Sequence, residues 1–184
     1  MSKRLKMGFT DLMIDLETCS TAVNAVICTI GMVAFNIFDP TVTPEKVIIY
    51  VDKADCEQLG LDVDPGTMAW WEKQPAEARA EAFDAQPRVK LIDAMKTVNE
   101  KSRGIIRFWC QGLNFDAVIL ESAMKAVNLK PNWKFWQWRD ARTVCKMAPS
   151  LPKREGVHHS AVADAEYQME CVKAVFKSFN IRNI

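Results

Sequence analysis

Residues 12–20 read LMIDLETCS, an apolar run with Asp15 and Glu17 set into it. In a strand the side chains alternate, so Met13, Asp15 and Glu17 share one face and Leu12, Ile14 and Leu16 the other. Two like charges held on one face cost electrostatic energy unless solvent or a cation offsets them. The stretch by itself leaves two readings open: a solvated strand end, or part of a metal site.

Two more β-rich runs follow, AVICTIGMVAFNIF at 25–38 and KVIIYVD at 46–52. The DPTVTPE segment between them is too short for a crossover helix, which predicts an antiparallel meander of three strands. A Pro-Gly turn at 62–67, with Thr67 placed to cap, then opens MAWWEKQPAEARAEAF, a helix broken at Pro75 with a second helix starting there. PRVKLIDAMKTVNEK at 87–101 carries Val89, Ile92, Met95 (or Ala94) and Val98 at helical spacing. GIIRFWCQG at 104–112 reads as a strand and NFDAVILESAMKAVNL at 114–129 as a helix. A short strand or irregular segment is expected around 134–139, then a helix. A last helix is expected from about Ser160 to Phe179, with Ala165, Met169, Val172, Phe176 and Phe179 as its apolar stripe. The order predicts one α/β domain over 1–184, a mixed sheet of five strands flanked by helices.

Composition narrows the function. Twenty-four basic residues balance 23 acidic ones, so attraction to nucleic acid must come from a local patch. The six cysteines are scattered with no C-x-x-C pair, and the only histidines are His158 and His159, which argues against structural zinc and for buried free thiols in a reducing cytoplasm. No apolar segment follows the basic residues at the N-terminus, and none approaches about 18 uninterrupted apolar residues, so a soluble cytoplasmic protein without a membrane span is expected.

Two further acids stand out. Asp116 lies on the stripe of its helix with Leu120, Met124 and Val127, just past a buried-looking strand, where open α/β sheets place their sites. It is either a helix-start acid or a ligand-binding one. In VHHSAVADAEYQ, Ser160 is placed to cap, Asp164 falls in the first helical turn, and His159, in the preceding loop, can swing to the same place. Four converging carboxylates could not all stay ionised without cations; hard oxygen ligands suit Mg²⁺ or Mn²⁺. Two such ions about 3.5–4 Å apart form the clamp used in phosphoryl chemistry, with a histidine as natural proton acceptor.

The pattern resembles the DEDDh branch of the DnaQ-like 3′-5′ exonucleases, which have a ribonuclease H-like fold. IDLET at 14–18 matches the first motif, NFDAVIL at 114–120 the second through Phe115 and Asp116, and HSAVADA at 159–165 the third. The resemblance implies two divalent ions held by Asp15, Glu17, Asp116 and Asp164, His159 rather than His158 as general base, and release of nucleoside monophosphates from a 3′ end. It further implies that Leu16 and Thr18, with Asn114 and Phe115, seat the terminal nucleotide. Gly112 stands where the broad family often has asparagine. That departure, with MAWWEKQPAEAR (68–79), WCQGLNFD (109–116), KFWQWRDART (134–143) and LPK (151–153), is similar to the narrower bacteriophage exonuclease A group and its bacterial relatives. The expected partners are single-stranded or frayed 3′ ends, DNA first and RNA as the alternative, and a homodimer fits the group; a catalytically silent nucleic-acid-binding domain is the other class.

Around this site, one tryptophan of the pair Trp70 and Trp71 is expected in the core, and Trp71 is the candidate for a stacking wall. Trp136 and Trp138 are expected to pack, Asp140 and Arg142 to pair internally, and the KRE segment at 153–155 to be a charged loop next to the histidine.

Overall fold

A computed structural model of the protein describes residues 8–148, 150–154 and 158–182. Strands β1 (Asp11–Thr18), β2 (Ile27–Phe35) and β3 (Glu45–Val51) form the expected antiparallel meander. Helices α1 (Lys53–Gln58), α2 (Pro65–Trp71) and α3 (Ala76–Arg79) follow, and α3 widens into a π-helical turn at Ala80–Asp84. Asp64, not Thr67, caps α2: its carboxylate accepts from the backbone N–H and the hydroxyl of Thr67.

The two-residue strand β4 (Arg88–Val89) pairs parallel to β3 and makes the sheet six-stranded, not five-stranded. The helical spacing read from Val89 begins one strand too early. Helix α4 starts at Leu91 and ends at Lys101; β5 (Arg107–Cys110), α5 (Val118–Ala126), β6 (Trp138–Asp140), α6 (Ala141–Cys145) and α7 (Ala161–Ser178) complete the chain. The sheet order is β4-β3-β2-β1-β5-β6, with β5 parallel to β1 and β6 parallel to β5. Pairing therefore changes from antiparallel to parallel at both β1 and β3, and β1 is the one of the two at the centre of the sheet.

Strand β1 is covered on both faces, which explains its continuous apolar character. Leu12, Ile14 and Leu16 enter the larger core with α2, α4 and α5, whereas Met13 enters a second core with Ala165, Met169, Val172 and Phe176 of α7. Asp11, Asp15 and Glu17 belong to the α7 side. Trp138 packs against Phe108 and Trp133, but Trp136 stands 61% exposed beside Phe135, because a 3₁₀ turn at Phe135–Gln137 replaces the strand alternation expected there. Asp140 caps α6 through the Thr143 N–H and does not pair with Arg142, which is exposed. Of the described cysteines all six are free thiols and five are buried. Among the described residues no helix is long and apolar enough to cross a membrane.

Candidate active site

The acids meet at the C-terminal end of β1. Asp15 and Glu17 project from the α7 face of the strand. Asp116 comes from the π-helical turn Leu113–Ala117 that follows β5, and one bond ties the two motifs together: the Leu16 N–H donates to Asp116 Oδ1 at 3.1 Å. Wide turns of this kind recur at functional sites because they aim a side chain that a regular helix would carry past.

Helix α7 supplies Asp164 from its first turn, as expected. Its entry is set by Gly31, which lies opposite Asp15 on β2. A Cβ on Gly31 would sit 2.2 Å from the backbone of Ala161, far inside any real contact, so only glycine lets the helix start this close to the sheet. Ser160 occupies the N-cap position, but its side chain makes no capping bond. His159, in the turn before it, has φ of 64°, a left-handed conformation that non-glycine residues adopt uncommonly. Its ring meets Trp70 edge-on at 4.9 Å and lies 6.2 Å from Trp71. Ligand-capable atoms of Glu17, His159 and Asp164 all lie within 4.8 Å of one another.

The electrostatics are those of a site short of positive charge. Burial, then Asp116 and Glu17, push the Asp15 carboxyl well above the usual range, opposed by a hydrogen bond from Gln168 and by Arg154. Burial first, then Glu81 and Asp116, raise Glu17 to about 8. Burial raises Asp116 to about 7, against the Leu16 N–H bond and the Arg142 guanidinium. His159 moves the other way: burial, then His158 and Arg154, lower it below its ordinary value. Arg154 pairs with Asp164 and lies over the Tyr167 ring at 5.2 Å. The charged loop thus reaches the site through Arg154, while Glu155 lies outside the described residues.

A cleft of about 450 Å³ opens beside Glu17, lined among others by Leu16, Thr18, Thr67, Trp70, Trp71 and Phe115. Trp71 is buried and anchored, its indole N–H donating to the Thr18 carbonyl at 2.8 Å, whereas Trp70 is 41% exposed. The exposed ring in the cleft is therefore that of Trp70, with Trp71 behind it. Asn114 is exposed and does not line the cleft; its Oδ1 lies on the Gly112 side, where Arg142 also points. Three contributors were not singled out from sequence: Gly31, Glu81 and Gln168. A polar residue on the otherwise apolar core side of α7 was the one available signal, and it belonged to Gln168.

The mixed six-stranded sheet flanked by helices is a fold shared with solved nuclease structures. A family model described as the 3′-5′ exoribonuclease Rv2179c-like domain matches residues 10–176, and the chain belongs to that family. Two solved structures share the fold. One is the zinc-bound form of the Escherichia coli ExoI–ssDNA complex, at 16% identity and a TM-score of 0.65, over 94% of this chain. The other is the nuclease domain of 3′hExo, a DEDDh family member bound to rAMP, at 12% identity and a TM-score of 0.61, over 93% of this chain and 94% of that one. The chain spans 41% of the ExoI chain it matches. Comparison with curated proteins gives no match.

Proposed function

We propose that the protein removes nucleotides one at a time from single-stranded 3′ ends, with Asp15, Glu17, Asp116 and Asp164 holding two divalent cations, Mg²⁺ or Mn²⁺, and His159 acting as general base. The observation that carries this reading is geometric: ligand-capable atoms of Glu17, His159 and Asp164 lie within 4.8 Å of one another beside Asp15 and the Leu16-bound Asp116, and burial with mutual repulsion raises the carboxyls, as expected of acids that await a cation. The donor set of four carboxylates and one imidazole fits a hard divalent ion. When bound, such ions supply Lewis acidity at the phosphate and an activated water.

The chain's own residues account for the remainder of the chemistry. The lowered pKa of His159 keeps its imidazole neutral near pH 7 and able to take the proton of the attacking water. The water oxygen bonds to phosphorus, the bond to O3′ of the preceding nucleotide breaks, and a nucleoside 5′-monophosphate leaves. Leu16 and Phe115 offer apolar walls for the terminal nucleoside, and Trp70 offers a ring face at the mouth of the cleft, suited to an unpaired base of any sequence. Arg154, on Asp164 in the protein alone, supplies positive charge where a cation would otherwise stand.

The family description points to RNA as the first substrate, while single-stranded DNA, the ligand in the ExoI structure, is the second reading. End-labelled RNA and DNA of one sequence, incubated with and without Mn²⁺ and resolved on a sequencing gel, test both. The expected result is a metal-dependent ladder shortening from the 3′ end, stronger for RNA. Metal-independent loss, or internal cuts, would overturn the assignment.

A further inference from the structure

Gln168 is a polar residue in an apolar place. It lies on α7 one turn beyond Asp164, is 4% exposed, and has Ala165, Met169 and Val172 of the second core as neighbours along the helix. Burying an amide there costs free energy unless it is hydrogen-bonded, and an apolar residue of the same length would pack without that cost. The side chain makes one hydrogen bond: Nε2 donates to Asp15 Oδ1 at 2.6 Å, across 153 positions of sequence. Its Oε1 is buried without a partner. Among the described residues, Asp15 is the partner that accounts for the amide.

We infer that Gln168 is a positioning residue for the metal site: it binds one oxygen of Asp15 and so fixes the direction in which the other faces the cations. This rests on the two-cation reading above. An amide N–H₂ suits the role because it occupies one carboxylate oxygen without adding charge. A lysine or arginine there would compete with a cation, and a carboxylate would repel Asp15. Partners of this kind around ligating side chains typically contribute about 10- to 100-fold in metal affinity or activity.

The test uses the full chain with Gln168→Met, which keeps length and removes the donor. Mn²⁺ affinity is read by calorimetry, thermal stability without metal by melting, and kcat and KM on a short single-stranded oligonucleotide. The expected result is a metal-free melting temperature close to wild type, because the donor lost by Asp15 is offset by removal of the unpartnered amide oxygen, with Mn²⁺ bound about 10- to 100-fold more weakly, lower kcat at limiting Mn²⁺, and little change in KM. In the Asp15→Asn background the same substitution is expected to weaken Mn²⁺ binding no further, because the partner is already altered. Unchanged Mn²⁺ affinity in Gln168→Met beside normal binding by wild type would overturn the inference and leave the exonuclease reading standing. Absence of Mn²⁺ binding by the wild-type protein would instead sink the two-cation reading itself. If Gln168→Met does not fold, Gln168→Ala, which leaves room for water, decides: the same loss of Mn²⁺ affinity supports the inference, and a second folding failure assigns Gln168 to structure alone.

Discussion

Asp11 and Asp15 sit four residues apart on the same face of the same strand, and their surroundings are opposites. Asp11 is fully buried and its carboxylate is saturated with donors: Arg107 Nε at 2.6 Å and Nη2 at 2.8 Å, Trp109 Nε1 at 2.9 Å, Thr10 Oγ1 at 2.6 Å and the Ile37 N–H at 3.2 Å. Among the described residues Asp15 has one side-chain donor, Gln168, and two carboxylates near enough to raise it. The difference separates an acid whose task is to hold the fold from one whose partner must come from outside. A buried charge is tolerated where the protein completes its shell, and an incomplete shell marks where a ligand belongs.

The largest break in that comparison is expected from Asp15→Asn. Turnover should fall below detection, while metal-free stability should hold or rise, since one repelling charge is gone; retention of near-normal turnover would contradict the assignment of Asp15 to the site. His159→Ala comes next. It should lower kcat by about 10²- to 10⁴-fold and remove the acid limb of the pH-rate profile, as loss of a general base does. An unchanged profile would show that another group takes the proton.

Asp11→Asn inverts the first result. It leaves the Arg107 guanidinium, 6% exposed, without its counter-charge, and should destabilise the protein by about 3–5 kcal/mol in denaturant titrations. The molecules still folded should cleave normally, and a loss of turnover as complete as that of Asp15→Asn would erase the distinction between the two acids.

The most gradual effect is a pH dependence. Below about pH 4.5 folded and unfolded chains both hold the Glu17 proton and the group contributes nothing. Between 4.5 and about 8 the unfolded chain releases it while the folded chain keeps it, so metal-free stability should decline as pH rises through this window. Mn²⁺ should offset part of the decline, by about 2.7 kcal/mol at 100 times its dissociation constant. Glu17→Gln should flatten the slope; a slope unaltered by that substitution would place the titrating group elsewhere.

Much of this was legible in the sequence because it is local. The meander, the strand before Asp116 and the last helix all rest on periodicity and turn residues, and the motif acids were visible as charges set into apolar runs. What escaped was decided by tertiary contact. Strand β4 is two residues long and exists only because β3 lies beside it. Asp11 carries no motif that marks it in the sequence, and its five hydrogen bonds, four of them from beyond its neighbour Thr10, make it a structural centre. Asp140 was expected to pair with Arg142, but the nearer backbone N–H of Thr143 claims it, a case of local capping outcompeting a side-chain ion pair. Asn114 was carried over from a motif whose neighbours do line the cleft, and the π-helical turn at 113–117 aims Phe115 and Asp116 inward and leaves Asn114 outside.

Gly31 has a consequence for how the site keeps its dimensions. The joint between sheet and helix at this point is main chain against main chain, with no rotatable side chain in between to act as a cushion. The gap between the first acidic motif and the third is therefore gauged by the thickness of two polypeptide backbones, a quantity that repacking farther along α7 does not alter. A single added methyl group at residue 31 would act as a shim, lifting Asp164 from its partners while every acid in the sequence stayed in place.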